Sequence, residues 1–309
     1  MDNKKYFIIT VDTEGDNLWN YREGDLVGTK NADYIPRFQR LCEKYSLKPV
    51  YLTNYEMALS DSFVKSAKEW LSKGTCEIGV HLHAWNTPPY YKLSGPYKGN
   101  PYLIEYPIDI MKSKFEVIYN LIVDRFGITP ISHRAGRWAM DDRYFKILED
   151  FGILVDCSYT PGINWSNNKG ITIGGSDYSK EKLKPYYINS VLEMPVSVCN
   201  TYLSQRGSLK HRIKVLFSGE KIWLRPATNS AKEMCKVLDK LIKKTDVDYV
   251  EFMIHSSELM PGGSPYFMDD DAIDEEFAIM EEVFKYASEL GYLGSTFVEY
   301  INIKKNRYV

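Results

Sequence analysis

From residue 6 to residue 298, short apolar runs alternate with stretches of helical periodicity, and this rhythm limits the fold more than any other feature of the chain. Residues 6–11, rich in Ile and Val, predict a first strand. Residues 33–45 follow with Ile35, Phe38, Leu41 and Cys42 at helical spacing. Further strands are predicted over 48–52, 77–81, 131–133, 153–156, 191–198 and 249–255, with a short one near 296–298. Helices are predicted over 61–71, 108–126, 141–151, 230–244 and 271–290, several of them ended by Gly74, Gly127, Gly152 and Gly291. Repeated strand–helix units imply right-handed crossovers and a parallel sheet. No glycine-rich phosphate loop follows any strand, which argues against an open doubly wound sheet. No linker or repeat divides the 309 residues, so the expected fold is a distorted (β/α)7 barrel with parallel strands, one domain over 1–309.

The formal net charge of −2 argues against a nucleic-acid binder. The basic stretches Lys210, His211, Arg212, Lys214 and Lys304, Lys305, Arg307 are short and read as solvated surface. Cys42, Cys76, Cys157, Cys199 and Cys235 are odd in number, widely spaced and free of any CxxC pair, which fits reduced thiols. No apolar run approaches the ~18 residues of a membrane span. Residues 6–11 enter a strand with no cleavage site before them, so the expected location is the cytoplasm.

The acids and histidines mark the chemistry. Asp12, Glu14, His81, His133, Arg134, Asp156 and His255 all stand at or just past the C-terminal ends of predicted strands, the rim where parallel barrels build their sites. Of the histidines only His211 lies away from this rim. His81 and His83 are two apart on a strand end, so they share a face with Cα atoms about 6–7 Å apart. Both rings can then reach one ion at ~2.0–2.1 Å per bond, although two rim histidines bonded to loops would give the same pattern. Asp12 and Glu14 repeat the spacing: one can bind metal and the other act as base, or both can cap turns. Combined, the residues supply two histidines and a carboxylate with open positions, a common catalytic metal set. Arg134 beside a carboxylate would keep it ionised, or form a plain buried ion pair. His255, flanked by Ser256, Ser257 and Glu258, can protonate a leaving amine.

These motifs together resemble the polysaccharide deacetylases, the chitooligosaccharide-deacetylase-like carbohydrate esterases, over residues 10–298. Thr10-Val11-Asp12-Thr13-Glu14 is similar to the family's first motif, in which one acid is the base and the next binds metal. Glu77-Ile78-Gly79-Val80-His81 resembles the run into its first metal histidine. Arg134 in Ser-His-Arg-Ala-Gly-Arg-Trp stands where the third motif holds the base with an arginine. Asp156 falls at the acid of the fourth motif, and Phe252-Met253-Ile254-His255 looks like the last, which ends in the catalytic acid. Two departures mark a divergent branch, similar to proteins of bacterial surface-polysaccharide gene sets. Thr13 separates acids that are usually adjacent, and Trp85 stands where the second metal histidine is usual, leaving His83 to serve.

The resemblance implies removal of an N-acetyl group from an amino sugar or a nucleotide- or lipid-linked sugar precursor. It implies a divalent metal on Glu14, His81 and His83, zinc first, with nickel, cobalt or iron as alternatives. Asp12 would be the base held by Arg134, and His255 the acid oriented by Asp156. Trp85, Tyr90, Tyr91 and Trp138 are expected sugar platforms, with His133 in the substrate-binding set. Segments 84–106 and 157–190 should fold over the mouth. Two rival readings are a glycoside hydrolase pairing Asp12 or Glu14 with Glu193 and a carbohydrate-binding relative without turnover.

Overall fold

The structure, a computed structural model, describes residues 4–305 except 17, 23, 202–209, 211–212, 214, 217–218 and 245. His211, Arg212, Lys214 and Arg307 lie outside the described residues. The strands are β1 (Tyr6–Thr13), β2 (Pro49–Thr53), β3 (Glu77–Leu82), β4 (Ser132–Ala135), β5 (Val155–Asp156), β6 (Tyr186–Ile188), β7 (Val191–Glu193), β8 (Val198–Thr201), β9 (Glu220–Trp223), β10 (Tyr249–His255) and β11 (Leu293–Gly294). The helices are α1 (Ile35–Lys44), α2 (Tyr55–Leu59), α3 (Asp61–Ser72), α4 (Ile108–Phe126), α5 (Asp142–Asp150), α6 (Ala231–Ile242), α7 (Asp270–Glu289) and α8 (Phe297–Lys305). The main sheet runs β10-β1-β2-β3-β4-β5-β7-β6, with β11 also against β1, and only β6 is antiparallel to its neighbour.

Every residue of β1 is buried, as in a strand covered on both faces. Tyr6 and Ile8 pack inward with Val50, Leu52, Val155 and Tyr249. Phe7, Ile9 and Val11 face outward into the cluster that holds Phe38 of α1 and Phe284 of α7. Each such fully buried side chain contributes about 1.5–3 kcal/mol. The sheet is curled into a distorted barrel, with one cluster inside it and the other between its outer face and the helices. Its seam is bridged where Tyr249 donates to the Pro195 carbonyl (2.7 Å), the Glu251 amide to Ser197 (2.9 Å) and the Met253 amide to the Leu224 carbonyl (3.0 Å).

Two expectations change. The strand predicted over 191–198 divides into β7 and β8 around Pro195, which has no N–H to give a ladder; β8 instead pairs with β9 in a separate two-stranded sheet. The strand predicted near 296–298 is the start of α8. There the Thr296 hydroxyl accepts from the Glu299 amide and Glu299 accepts from the Thr296 amide, a reciprocal cap that begins a helix. No helix among the described residues is long and apolar enough to cross a membrane, and all five cysteines are free.

Candidate active site

Strand alternation decides which side chains meet inside the barrel. Asp12 pairs in register with His255, and His81 with Arg134, and all four point inward. Glu14 and His83 follow their strands two residues beyond Asp12 and His81, on the same side. Nε2 of His81 lies 2.9 Å from Nε2 of His83, which is 2.7 Å from Oε2 of Glu14; the third edge is 3.5 Å. All three residues are buried.

The chemistry of this donor set fits a cation. His81 Nδ1 stands 3.0 Å from the Arg134 carbonyl, an acceptor only, so Nδ1 carries the proton and Nε2 presents its lone pair to the centre. Glu14 adds a carboxylate oxygen at the same point. Three such atoms aimed at one point form a donor set that a cation takes, and edges of 2.7–3.5 Å compare with ~3.3 Å for ligands around a tetrahedral ion bonded at ~2.0–2.1 Å. Burial pushes the Glu14 carboxyl up, but the His81 and His83 rings beside it hold it well below the usual range. Burial depresses His83, favouring the neutral ring that a metal needs, whereas at His81 Asp12 and Glu14 outweigh burial and raise the ring above its ordinary value. Gly136 makes room for that ring: a Cβ there would lie 2.9 Å from His83 Nδ1 and 2.5 Å from the Leu82 carbonyl oxygen.

Asp12 sits beside this centre and pairs with the guanidinium of Arg134, which is fully buried. Burial raises the Asp12 carboxyl, yet Arg134, then His81 and His255, outweigh it and keep it below its ordinary value. Arg134 also pairs with Glu251, bonds Thr10 (2.8 Å) and the Cys157 carbonyl (3.1 Å), and lies over the Trp138 ring. On the far side, His255 Nε2 is 3.7 Å from Asp12 and 4.0 Å from Glu14. Its Nδ1 lies 3.1 Å from the Arg225 guanidinium, which can only donate; Nδ1 therefore accepts and the proton resides on Nε2, facing the acids. Glu258 braces this arrangement by accepting from the His255 amide (2.9 Å) and pairing with Arg225. Burial opposes its ionisation, but Arg225 and His255 bring it down to about 2.

These groups open into a cavity of about 400 Å³ whose walls include Trp19, Trp85, Trp138 and Trp165. Segments 84–106 and 157–190 both contribute, through Trp85 and Trp165, and are tied together by Tyr102 donating to the Asn168 carbonyl at 2.6 Å. Tyr90 and Tyr91 line an adjoining groove instead.

His133 and Asp156 do not reach the cavity. Each is the strand neighbour of an inward residue, Arg134 and Val155, so both face outward. His133 Nδ1 bonds Asp156 at 2.6 Å and Nε2 bonds Tyr144 of α5 at 2.7 Å. Asp156 is thus the partner of His133, not of His255, and His133 does not face a substrate. Glu193 is also sealed away: it accepts from the Tyr159 amide at 3.1 Å, and burial, then nearby Asp156, push its carboxyl well up. Arg225, Glu258, Trp19 and Trp165 were not foreseen as site residues. Glu258 carried a signal, three residues past His255; Arg225 follows β9, a strand with no clear sequence pattern.

No family model matches the sequence, and no curated protein does. The resemblance is structural. A Mycobacterium smegmatis structure described as a polysaccharide deacetylase aligns over 96% of this chain and 89% of its own, with TM-score 0.53 and 11% identity. A 4-alpha-glucanotransferase from Thermococcus litoralis aligns over 97% of this chain but 40% of its own, with TM-score 0.57 and 14% identity. A branching enzyme from Thermococcus kodakaraensis aligns over 96% and 71%, with TM-score 0.55 and 12% identity. What these proteins share with this chain is the fold.

Proposed function

We propose that the protein is a metal-dependent hydrolase that removes an N-acetyl group from an amino sugar or sugar precursor. One observation carries this reading: Glu14, His81 and His83 converge on a point flanked by an ionised Asp12 and by the Nε2–H of His255, 3.7 Å from that acid. A divalent cation held by Glu14, His81 and His83 would act as a Lewis acid on the amide and lower the pKa of water there. Asp12, kept anionic by Arg134, takes the proton of the attacking water. As the water oxygen bonds the acyl carbon and the C–N bond breaks, His255 gives its Nε2 proton to the departing nitrogen. Arg225 and Glu258 hold the His255 ring in the tautomer this requires. The tryptophan walls supply flat apolar faces on which a sugar ring can rest.

A glycosidase needs two carboxylates facing one another across the scissile bond. Among the described residues that line the cavity, the only carboxylates are Asp12 and Glu14, both from the end of β1, and Glu193 is buried elsewhere. The test is release of acetate from N-acetylated sugars by zinc-, nickel-, cobalt- or iron-loaded protein. Cleavage of glycosidic bonds by chelator-treated protein, with no acetate formed, would replace this reading with the glycosidase.

A further inference from the structure

Beside the catalytic cavity lies a larger groove of about 650 Å³, and Trp85 and Asn100 line both spaces. Trp85 is the partition. One side of its ring meets His83 at 4.3 Å between centroids, and Tyr21 of the groove lies 6.4 Å away. The groove therefore begins one aromatic ring from the proposed metal centre. Tyr90, Tyr91 and Tyr97 stand along it with their rings exposed, Tyr91 edge-on to Tyr106 and Tyr97 beneath the Lys169 ammonium.

Its charge is one-sided. Arg22, Lys92, Lys98 and Lys114 line it and no Asp or Glu does, in a chain whose 41 acids outnumber its 39 lysines and arginines. Lys114 is committed to structure: its ammonium donates to the Thr87 and Pro89 carbonyls at 2.6 and 2.7 Å and so pins the loop floor. Arg22, Lys92 and Lys98 are exposed, and no carboxylate among the described residues pairs with Lys92 or Lys98. Aromatic platforms with unpaired cations complement a ring-bearing anion rather than a neutral glycan.

We propose that this groove binds an anionic portion of the substrate, a carboxylate- or phosphate-bearing sugar unit next to the N-acetylated one. The proposal rests on the amino-sugar reading above and narrows it to acidic glycans or phosphate-linked sugars. Two sources of the charge are separated by probe. Dissociation constants would be measured by calorimetry for hyaluronan tetrasaccharide (carboxylate), UDP-N-acetylglucosamine (phosphate) and neutral chitotetraose, alongside acetate release from each. At low salt, one acidic probe should bind about tenfold or more tighter than chitotetraose. That ratio should shrink in 0.5 M NaCl as screening shortens to a few ångströms. It should fall toward one in the Lys92→Ala/Lys98→Ala variant. Which acidic probe gains identifies the group. Equal binding of all three probes, unaffected by salt, overturns the proposal even if acetate is released. Tight, salt-sensitive binding of an acidic probe with no acetate from any of them keeps the groove and sinks the deacetylase reading. Because the salt series uses unaltered protein, poor folding of the variant does not blunt the test.

Discussion

Arg134 serves two carboxylates, Asp12 and Glu251, and the consequence of removing either is calculable. Arg134, Asp12 and Glu251 are all buried. Asp12 holds the greater share of the guanidinium, since its carboxyl stays below the usual value while that of Glu251 is pushed up to about 7 by burial. Asp12 is itself one cause of the rise at Glu251. In Asp12→Asn that push disappears, Glu251 ionises more fully, and Arg134 keeps a partner. The expected loss is about 1–2 kcal/mol, less than the ~3–5 kcal/mol of breaking a buried pair outright. Glu251→Gln should cost about the same, because Asp12 remains. The double variant leaves Arg134 buried with no carboxylate and should lose roughly 4–6 kcal/mol, a coupling of about 1–3 kcal/mol beyond the sum. Urea unfolding of the four proteins in chelator at pH 7 measures this without any contribution from bound metal. The pH dependence has a definite sign. A carboxyl raised from 4.5 to about 7 on folding gives stability that is full below pH 4.5 and lost as pH rises through 7, roughly 3 kcal/mol in all. Glu251→Gln should therefore be less harmful at pH 8 than at pH 5. Additivity of the two substitutions within ~0.5 kcal/mol would refute the shared-guanidinium argument.

Asp12→Asn should retain metal and lose about 10²–10⁴ in kcat, whereas Glu14→Gln should lose metal affinity first and recover in part with excess metal; metal-dependent rate curves separate the two, and the reverse pattern would exchange their roles. Arg225→Met should reduce acetate release while metal content holds, because it frees the His255 ring to adopt the other tautomer; unchanged kcat across the pH range would contradict that. Glu276, on α7, is buried with no partner for either carboxylate oxygen among the described residues, and burial pushes it up to about 10. Its contribution is full below about pH 4.5 and falls as pH rises toward 10, so Glu276→Gln should stabilise by on the order of 1–3 kcal/mol at pH 8 and little at pH 5, read from thermal melts at both.

Much of this arrangement was legible in the sequence. Strand–helix alternation located the barrel, and a spacing of two at strand ends put Asp12 with Glu14 and His81 with His83 on common faces. The same parity, applied to His133 and Arg134, shows that adjacent strand residues cannot both face inward, which is why His133 and Asp156 form a pair behind the sheet. The cap at Thr296 and Glu299 was visible as a Thr-x-x-Glu pattern, but the apolar pair Phe297-Val298 between them suggested a strand. Arg225 was not legible, because its position depends on β8 and β9 meeting outside the main sheet, a long-range pairing with no local signature.

The account's central claim is that Glu14, His81 and His83 hold one divalent cation, and elemental analysis tests it most directly. Protein stripped with chelator, loaded in turn with zinc, nickel, cobalt and iron, and desalted should retain one ion per chain of at least one of these metals. His81→Ala/His83→Ala, confirmed folded by circular dichroism, should retain less than about a tenth of that. Wild-type protein that keeps none of the four, or a double variant that keeps a full equivalent, would contradict the claim.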